Sequence, residues 1–340
     1  MAMTIYDISK KAGVSIATVS RVLNGSENVR PSTRKKVMDV IDKYDYTPNA
    51  FARGMGLHSL KTIGILCADS SDLFLAKAVY FLEQELQANG YESLLCCTGY
   101  NPDIKKNYLN LILSKKVDSI ILVGSHFIGF NEDENQYIKD VSTQVPIMLL
   151  NASFDHPNVY STLCDDYGTM FEAATEMIQS GITDILYLYD SKSYSGLKKL
   201  HGFCDAMKEY NIPGFEKLIH FYDGNIEHLN EVADFVARIA TKGTSFHGIM
   251  TSDDSLAIGS IKYAQKKGIR IPEELSVMGY NNSMLTNCCT PELTSVDNRL
   301  ETQTHQLVQT LLGVLAGEEM PKKSIFSGKI INEEQHYFNF

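Results

Sequence analysis

The sequence predicts an N-terminal all-α helix-turn-helix headpiece followed by an α/β body of two lobes, each built on a parallel doubly wound sheet. Three observations carry this. Residues 5–23 read as helix, glycine turn, helix. From Thr62 onward, short apolar runs alternate with amphipathic helical stretches, and they do so in two successive sets. The charge is also split. Through Lys61 there are ten Lys and Arg against five Asp and Glu, so this part carries +5 while the whole chain carries −10 and the remainder −15. At 340 residues the chain is too long for one ordinary domain, and 44% hydrophobic residues supply a sizeable core.

The first helix begins after Thr4, a capping residue, with Asp7 at the position of a reciprocal capping carboxylate. Ile5, Ile8 and Ala12 fall on one face. Gly13 permits a sharp turn, and Ser15 is suited to cap a second helix. On that helix Val19, Val22 and Leu23 form an apolar stripe, with Ala17, Ser20 and Arg21 opposite. A short helix with one apolar face and one small, polar, cationic face is what a DNA major groove accepts. Pro31 opens a third helix to about Tyr44, with Val37, Val40 and Ile41 inward and Arg34, Lys35 and Lys36 beside the groove helix as phosphate contacts.

Pro48 ends the headpiece, and residues 49–61 form a hinge. Asn49 is placed to cap a short helix over Ala50-Phe51-Ala52-Arg53, too short to stand alone in water. Gly54 and Gly56 weaken it further, so it reads as an order–disorder switch that needs a partner.

In the body, the first set of strand-like runs is Ile63–Cys67, Leu94–Cys97, Ile120–Val123 and Ile147–Leu150, with helices near residues 76–88 and 104–114. The second set follows Tyr160–Leu163 and contains Ile185–Tyr189, Leu218–Phe221, Gly248–Met250 and Ser276–Gly279. Such alternation implies helices on both faces of parallel sheets. Ligands of these sheets bind outside the carboxyl ends of the strands, so two facing lobes make a cleft whose natural motion is hinge closure.

No stretch approaches the roughly 20 apolar residues of a membrane span, and the N-terminus lacks a basic-then-apolar secretory pattern. The expected location is the cytoplasm. Seven scattered cysteines fit this: Cys67, Cys164 and Cys204 read as small core residues, and the adjacent pairs Cys96-Cys97 and Cys288-Cys289 lack metal-ligand spacing. No metal, cofactor or catalytic residue is expected. Asp165-Asp166 and Asp253-Asp254 are acidic pairs whose neighbouring side chains point to opposite faces.

The run from Thr4 to Ala52 resembles the headpiece of the lac repressor (LacI/GalR) family of bacterial transcription regulators. The matching blocks are Ile5-Tyr6-Asp7-Ile8, Ala12-Gly13-Val14-Ser15, Thr18 to Asn24, Thr33 to Val37 and Tyr46-Thr47-Pro48-Asn49-Ala50. The subgroup it most resembles is the catabolite control protein type, through Ser15-Ile16-Ala17-Thr18 and Ala52-Arg53-Gly54. Further blocks continue through the body: Asp165-Asp166-Tyr167-Gly168, Gly202-Phe203, Asp253 to Gly259, Ile271 to Tyr280 and Pro291 to Val296. The resemblance implies a body of the type I periplasmic-binding-protein fold with three crossovers. It divides the chain into 1–48, 49–61 and 62–340, with one lobe at about 62–162 and 292–322 and the other at about 163–291 and 323–340.

The resemblance also implies site residues. The DNA-contact set is Thr4, Tyr6, Ser15, Ile16, Ala17, Thr18, Ser20, Arg21, Asn24, Arg34, Asn49, Ala52 and Met55. Arg21 suits guanine, and Ile16 and Ala17 suit thymine methyls. Met55 stands where the family's hinge leucine wedges into a base step, a role an apolar methionine also fits. The effector set is Asp72, Phe74, Leu75, Asn151, Lys199, Asp253 and Asn281. Here the chain departs from sugar-binding members: Lys199 replaces a usual arginine, Asp253 a usual asparagine, Asn281 a usual aspartate, and Ile226 the lid aromatic. One stacking wall of a sugar site is therefore expected to be missing, with Phe74 left to supply the other.

The expected protein is a homodimeric regulator, a repressor before an activator, that binds a pseudo-palindromic operator in double-stranded DNA under control of a small-molecule effector: an unusual sugar, or a phosphorylated or amine-bearing metabolite. A solute-binding protein of a transport system, a regulator driven by a protein co-regulator, and an enzyme are the rivals.

Overall fold

The structure is a computed structural model that describes residues 3–23, 26, 28–46 and 60–331. The headpiece comprises helices α1 (Ile5–Ala12), α2 (Ile16–Leu23) and α3 (Pro31–Lys43). Ile8, Val19, Val22, Val37 and Ile41 meet in a small core that Val29 and Tyr46 close. The sequence stripes thus pack as their spacing requires. Val40 is only partly buried against this core. The expected hinge, with Asn49, Ala52 and Met55, and the position of Asn24 lie outside the described residues.

The first lobe contains β1 (Thr62–Cys67), α4 (Leu73–Ala88), β2 (Glu92–Cys97), α5 (Pro102–Ser114), β3 (Ser119–Val123), α6 (Gln136–Ser142), β4 (Ile147–Leu150) and β5 (Val159–Cys164). The second contains α7 (Asp166–Gln179), β6 (Ile185–Tyr189), α8 (Tyr194–Glu209), β7 (Ile219–Phe221), α9 (Leu229–Thr241), β8 (Gly248–Thr251), α10 (Asp254–Lys267), β9 (Ser276–Tyr280) and β10 (Thr294–Asp297). The chain then runs through α11 (Leu300–Leu315), β11 (Lys323–Phe326) and β12 (Lys329–Ile331).

The two six-stranded sheets have the orders β11-β5-β4-β3-β1-β2 and β12-β10-β9-β8-β6-β7. All ladders are parallel except β10 with β12. Each sheet is sandwiched. On β1, Ile63 and Ile65 face α4 and α11, while Leu66 faces the opposite cluster with α5 and α6 residues Leu109, Ile112 and Ile138. The period-2 alternation of strand side chains produces this two-sided core from one apolar run.

The chain passes between lobes after β5, between β10 and α11, and between β11 and β12. This differs from the expected lobe limits. The span 292–322 is expected in the first lobe, yet Thr294–Asp297 is hydrogen-bonded into the second sheet beside β9. The span 323–340 is expected in the second, where Lys329–Ile331 does pair with β10, yet Lys323–Phe326 pairs with β5 in the first. Both strands have four residues, and nothing local tells such a strand which sheet edge it joins. The helix between them, α11, does pack on the first lobe through Leu307, Val308 and Leu311. Two helices also start earlier than expected, because Asp72 and Asn101 cap α4 and α5 directly. Among the described residues no helix is long and apolar enough to cross a membrane.

Candidate DNA interface and effector cleft

The headpiece is locked by local hydrogen bonds. The Thr4 hydroxyl accepts from the Asp7 N–H, and the Thr4 N–H donates to the Asp7 carboxylate at 3.0 Å. The Thr4 hydroxyl also donates to the Asp7 carboxylate at 2.6 Å, and that bond, then the one from the Thr4 N–H, holds the carboxyl below its ordinary range. Gly13 has φ +66°, the left-handed turn foreseen for it. Ser15 Oγ accepts from the Thr18 N–H at 3.1 Å and starts α2. With Val19 and Val22 fully packed, α2 turns Ile16, Ala17 and Arg21 to solvent and leaves Ser20 and Thr18 half-buried. Tyr6 is 63% exposed. Arg34 is half-buried, and its guanidinium donates to the Ser26 carbonyl at 2.6 Å.

Between the lobes lies a cavity of about 970 Å³, continuous with a smaller inner recess through shared lining residues. All seven expected effector residues line these spaces. Asp72 and Asp253 face both, and Phe74, Leu75, Asn151, Lys199 and Asn281 line the recess. The strand-end rule therefore gathers residues from 72 to 281 into one place.

Their roles divide. Asp72 Oδ1 accepts the Leu75 N–H at 2.8 Å. Burial, opposed by that bond and reinforced by Asp253, pushes its carboxyl up to about 6. Asp253 accepts from the Ser255 N–H at 2.7 Å and from Asn281 Nδ2 at 2.8 Å. Asn281 in turn accepts from Asn298 Nδ2 at 3.0 Å. Burial and then the Asp190 charge raise Asp253. Leu75 is a core residue, 4% exposed.

Lys199 is the most deeply engaged of the seven. It is 6% exposed, donates to the Ser252 carbonyl at 2.9 Å, and lies 3.8 Å from the centroid of the Tyr280 ring. Below it Asp166 accepts from Ser195 Oγ at 2.6 Å and Tyr280 Oη at 2.7 Å. The ammonium thus sits at the floor of the recess, with the Asp166, Asp190 and Asp253 carboxylates close enough to feel its charge.

The acidic pairs are structural. Asp165 caps α7, and Asp254 accepts from Ser295 Oγ and the Ser283 N–H, both at 2.6 Å, with burial pushing it up to about 7.

Several lining residues were missed from the sequence. Tyr100, Phe130 and Phe221 line the outer cavity, so it does have aromatic faces, although Ile226 is an aliphatic half-buried residue packed on the core of the second lobe around Leu188 and Val232. Asp190 adds a third inward carboxylate, which accepts from Ser252 Oγ at 2.8 Å. Phe221 ends β7, Asp190 follows β6, and Tyr100 and Phe130 lie in loops after β2 and β3. That placement at strand ends was the available signal. His126 packs edge-on against Tyr100 at 4.8 Å, and burial pushes its imidazole down to about 4, so it is neutral at pH 7. Ser125 Oγ bonds Ser193 Oγ at 2.8 Å, a direct link from one lobe to the other.

A helix-turn-helix module joined to a two-lobed body with a cleft defines the class of DNA-binding regulators that carry a ligand-binding-protein-like domain. Residues 4–49 match the family described as bacterial regulatory proteins, lacI family, and residues 174–332 match a periplasmic binding protein-like domain. An HTH-type transcriptional regulator of Lachnoclostridium phytofermentans is 49% identical over 97% of this chain and 98% of its own length. Catabolite control protein A of Priestia megaterium is 33% identical over 87% of each chain. In structure, the lac repressor dimer bound to operator and the anti-inducer ONPF superimposes with a TM-score of 0.87 at 19% identity, covering 98% of this chain and 99% of that one. The chain belongs to the lacI family and is a DNA-binding transcription regulator.

Proposed function

We propose that this chain represses transcription as a cytoplasmic homodimer on a pseudo-palindromic operator, released or strengthened by a small effector in the inter-lobe cleft, and that it catalyses no reaction. The observation that carries this reading is the division of α2 into a packed Val19/Val22 face and a solvent-facing Ile16/Ala17/Arg21 face. Two copies related by a two-fold axis read two half-sites, so operator symmetry mirrors protein symmetry. Arg21 is assigned to a guanine, Ile16 and Ala17 to thymine methyls, and Ser20 to a base edge; Thr4, Tyr6, Ser15, Thr18 and Arg34 stay close to the backbone. The segment 49–61 is assigned to the coupling step, in which lobe closure orders or melts the hinge.

The cleft favours a hydrogen-bond donor-rich ligand. Asp72, Asp190 and Asp253 offer acceptors to hydroxyl or ammonium groups, and Tyr100, Phe130 and Phe221 offer faces for a ring. These carboxylates oppose a phosphorylated ligand. Selection of duplexes from a random pool by the full-length protein tests the operator reading. Enrichment of a two-fold symmetric site supports it; enrichment of an asymmetric site, or none, overturns it.

A further inference from the structure

Cys67 and Cys97 are 30 residues apart in sequence and end neighbouring strands β1 and β2. They are register partners in the parallel ladder. Register partners project from the same face, and neighbouring strands lie about 4.8 Å apart, within the 4.4–6.8 Å that Cα atoms of a disulfide span. Their sulfurs are already 3.7 Å apart. Cys67 is buried and Cys97 is exposed. Cys96 is excluded as the partner, because it projects from the opposite face into the cluster around Leu66 and Ile120.

We infer that Cys67 and Cys97 form a reversible oxidation site, converted to an intramolecular disulfide by a hydroperoxide. Accessibility sets the order of events. The Cys97 sulfur attacks the peroxide, the O–O bond breaks, and the thiol proton leaves with the departing oxygen, giving a sulfenic acid and one water from hydrogen peroxide. The Cys67 sulfur then attacks Cys97, the S–O bond breaks, and the Cys67 proton leaves with the hydroxyl as a second water. Two thiols and one hydrogen peroxide become one disulfide and two waters, and an external dithiol reverses the change. Burial, with Cys97 beside it, pushes the Cys67 thiol up to about 12, so the first attack on the peroxide falls to the exposed Cys97.

The bond joins the strand ends from which the cleft loops depart. The Thr98 N–H bonds the Cys67 carbonyl and the Gly99 N–H bonds the Ala68 carbonyl, while Asp69 and Asp72 on one loop and Tyr100 on the other line the cavity. Oxidation therefore acts on the geometry of the cleft wall without touching the headpiece.

The test is hydrogen peroxide titration of the reduced full-length protein, followed by thiol alkylation and peptide mapping. The expected product is a Cys67–Cys97 linked peptide lighter by two hydrogens, with a loss of two of the seven thiols and full recovery on dithiothreitol. Cys96→Ser keeps the link, and Cys97→Ser, an exposed change that leaves the fold intact by circular dichroism, abolishes it. Oxidation of Cys97 to sulfinic acid with Cys67 still alkylatable, a Cys96–Cys97 bond, or a link between two chains would each overturn the assignment.

Discussion

The reading face of α2 and the lining of the cleft are both polar surfaces offered to a ligand, but they are built in opposite ways. On α2 Ile16, Ala17 and Arg21 stand in solvent, and their backbone is fixed by two apolar residues and a serine cap. In the cleft, Asp72, Asp253, Asn281 and Lys199 already have partners within the protein. A surface of the first kind is preorganised by its scaffold and changes partner freely. One of the second kind must exchange internal bonds for ligand bonds, so occupying it rearranges the protein. That is the property a sensor needs, and a reader does not.

The contrast breaks first at Arg21. Arg21→Ala is expected to cost about 1–3 kcal/mol in each half-site, enough to remove specific operator binding, with helicity and the salt slope nearly unchanged. Fluorescence anisotropy on the selected operator checks this. Undiminished affinity would mean that α2 does not read bases through this residue.

Lys199→Ala probes the internal character of the cleft. Removing the ammonium leaves the Ser252 carbonyl without its donor and Asp166, Asp190 and Asp253 without their nearby cation. A loss of about 2–4 kcal/mol in urea unfolding is expected. Full stability with lost effector binding would restore Lys199 to the role of a ligand-gripping cation.

Asp72 sharpens the same point through pH. Its folded carboxyl is raised from an ordinary value of 3.8 to about 6, so the folded state holds its proton more tightly than the unfolded state. Stability contributed by this group is therefore present below its ordinary range, lost as pH rises toward 6, and absent above it. Asp72→Asn preserves the acceptor for the Leu75 N–H and removes the buried charge. It is expected to flatten the melting-temperature profile between pH 4 and 6 and to raise stability at pH 8 by about 1–3 kcal/mol. A variant less stable than wild type at pH 8 would contradict the stated cause.

The smallest effect belongs to the aromatic wall. Phe221→Ala should weaken a ring-bearing effector by about 1 kcal/mol, several-fold in Kd by calorimetry, and leave ligand-free operator affinity unchanged.

Legibility in the sequence followed the same division. The headpiece is a contiguous, locally determined unit, so spacing alone placed Thr4, Gly13, Ser15, Val19 and Val22 in the roles they occupy. The succession of strands in two sets and the gathering of seven cleft residues from distant segments also followed from the pattern and the resemblance. What failed to show depends on contacts between distant strands. Lys199 is buried because Ser252 and Tyr280 arrive from β8 and β9 to receive it. Tyr100, Phe130 and Phe221 look like ordinary loop or strand-end aromatics until two lobes face one another. The lobe membership of 294–297 and 323–326 was settled by pairing, which four-residue strands do not advertise.

The most direct test of the division between reader and sensor is operator affinity measured with and without a ligand found by thermal-shift screening of sugars, amino sugars and nucleosides. Cleft occupancy is predicted to change operator affinity at least tenfold, and operator to change ligand affinity by the same factor, as linkage requires. A ligand that binds the cleft and leaves operator affinity unchanged would contradict the account.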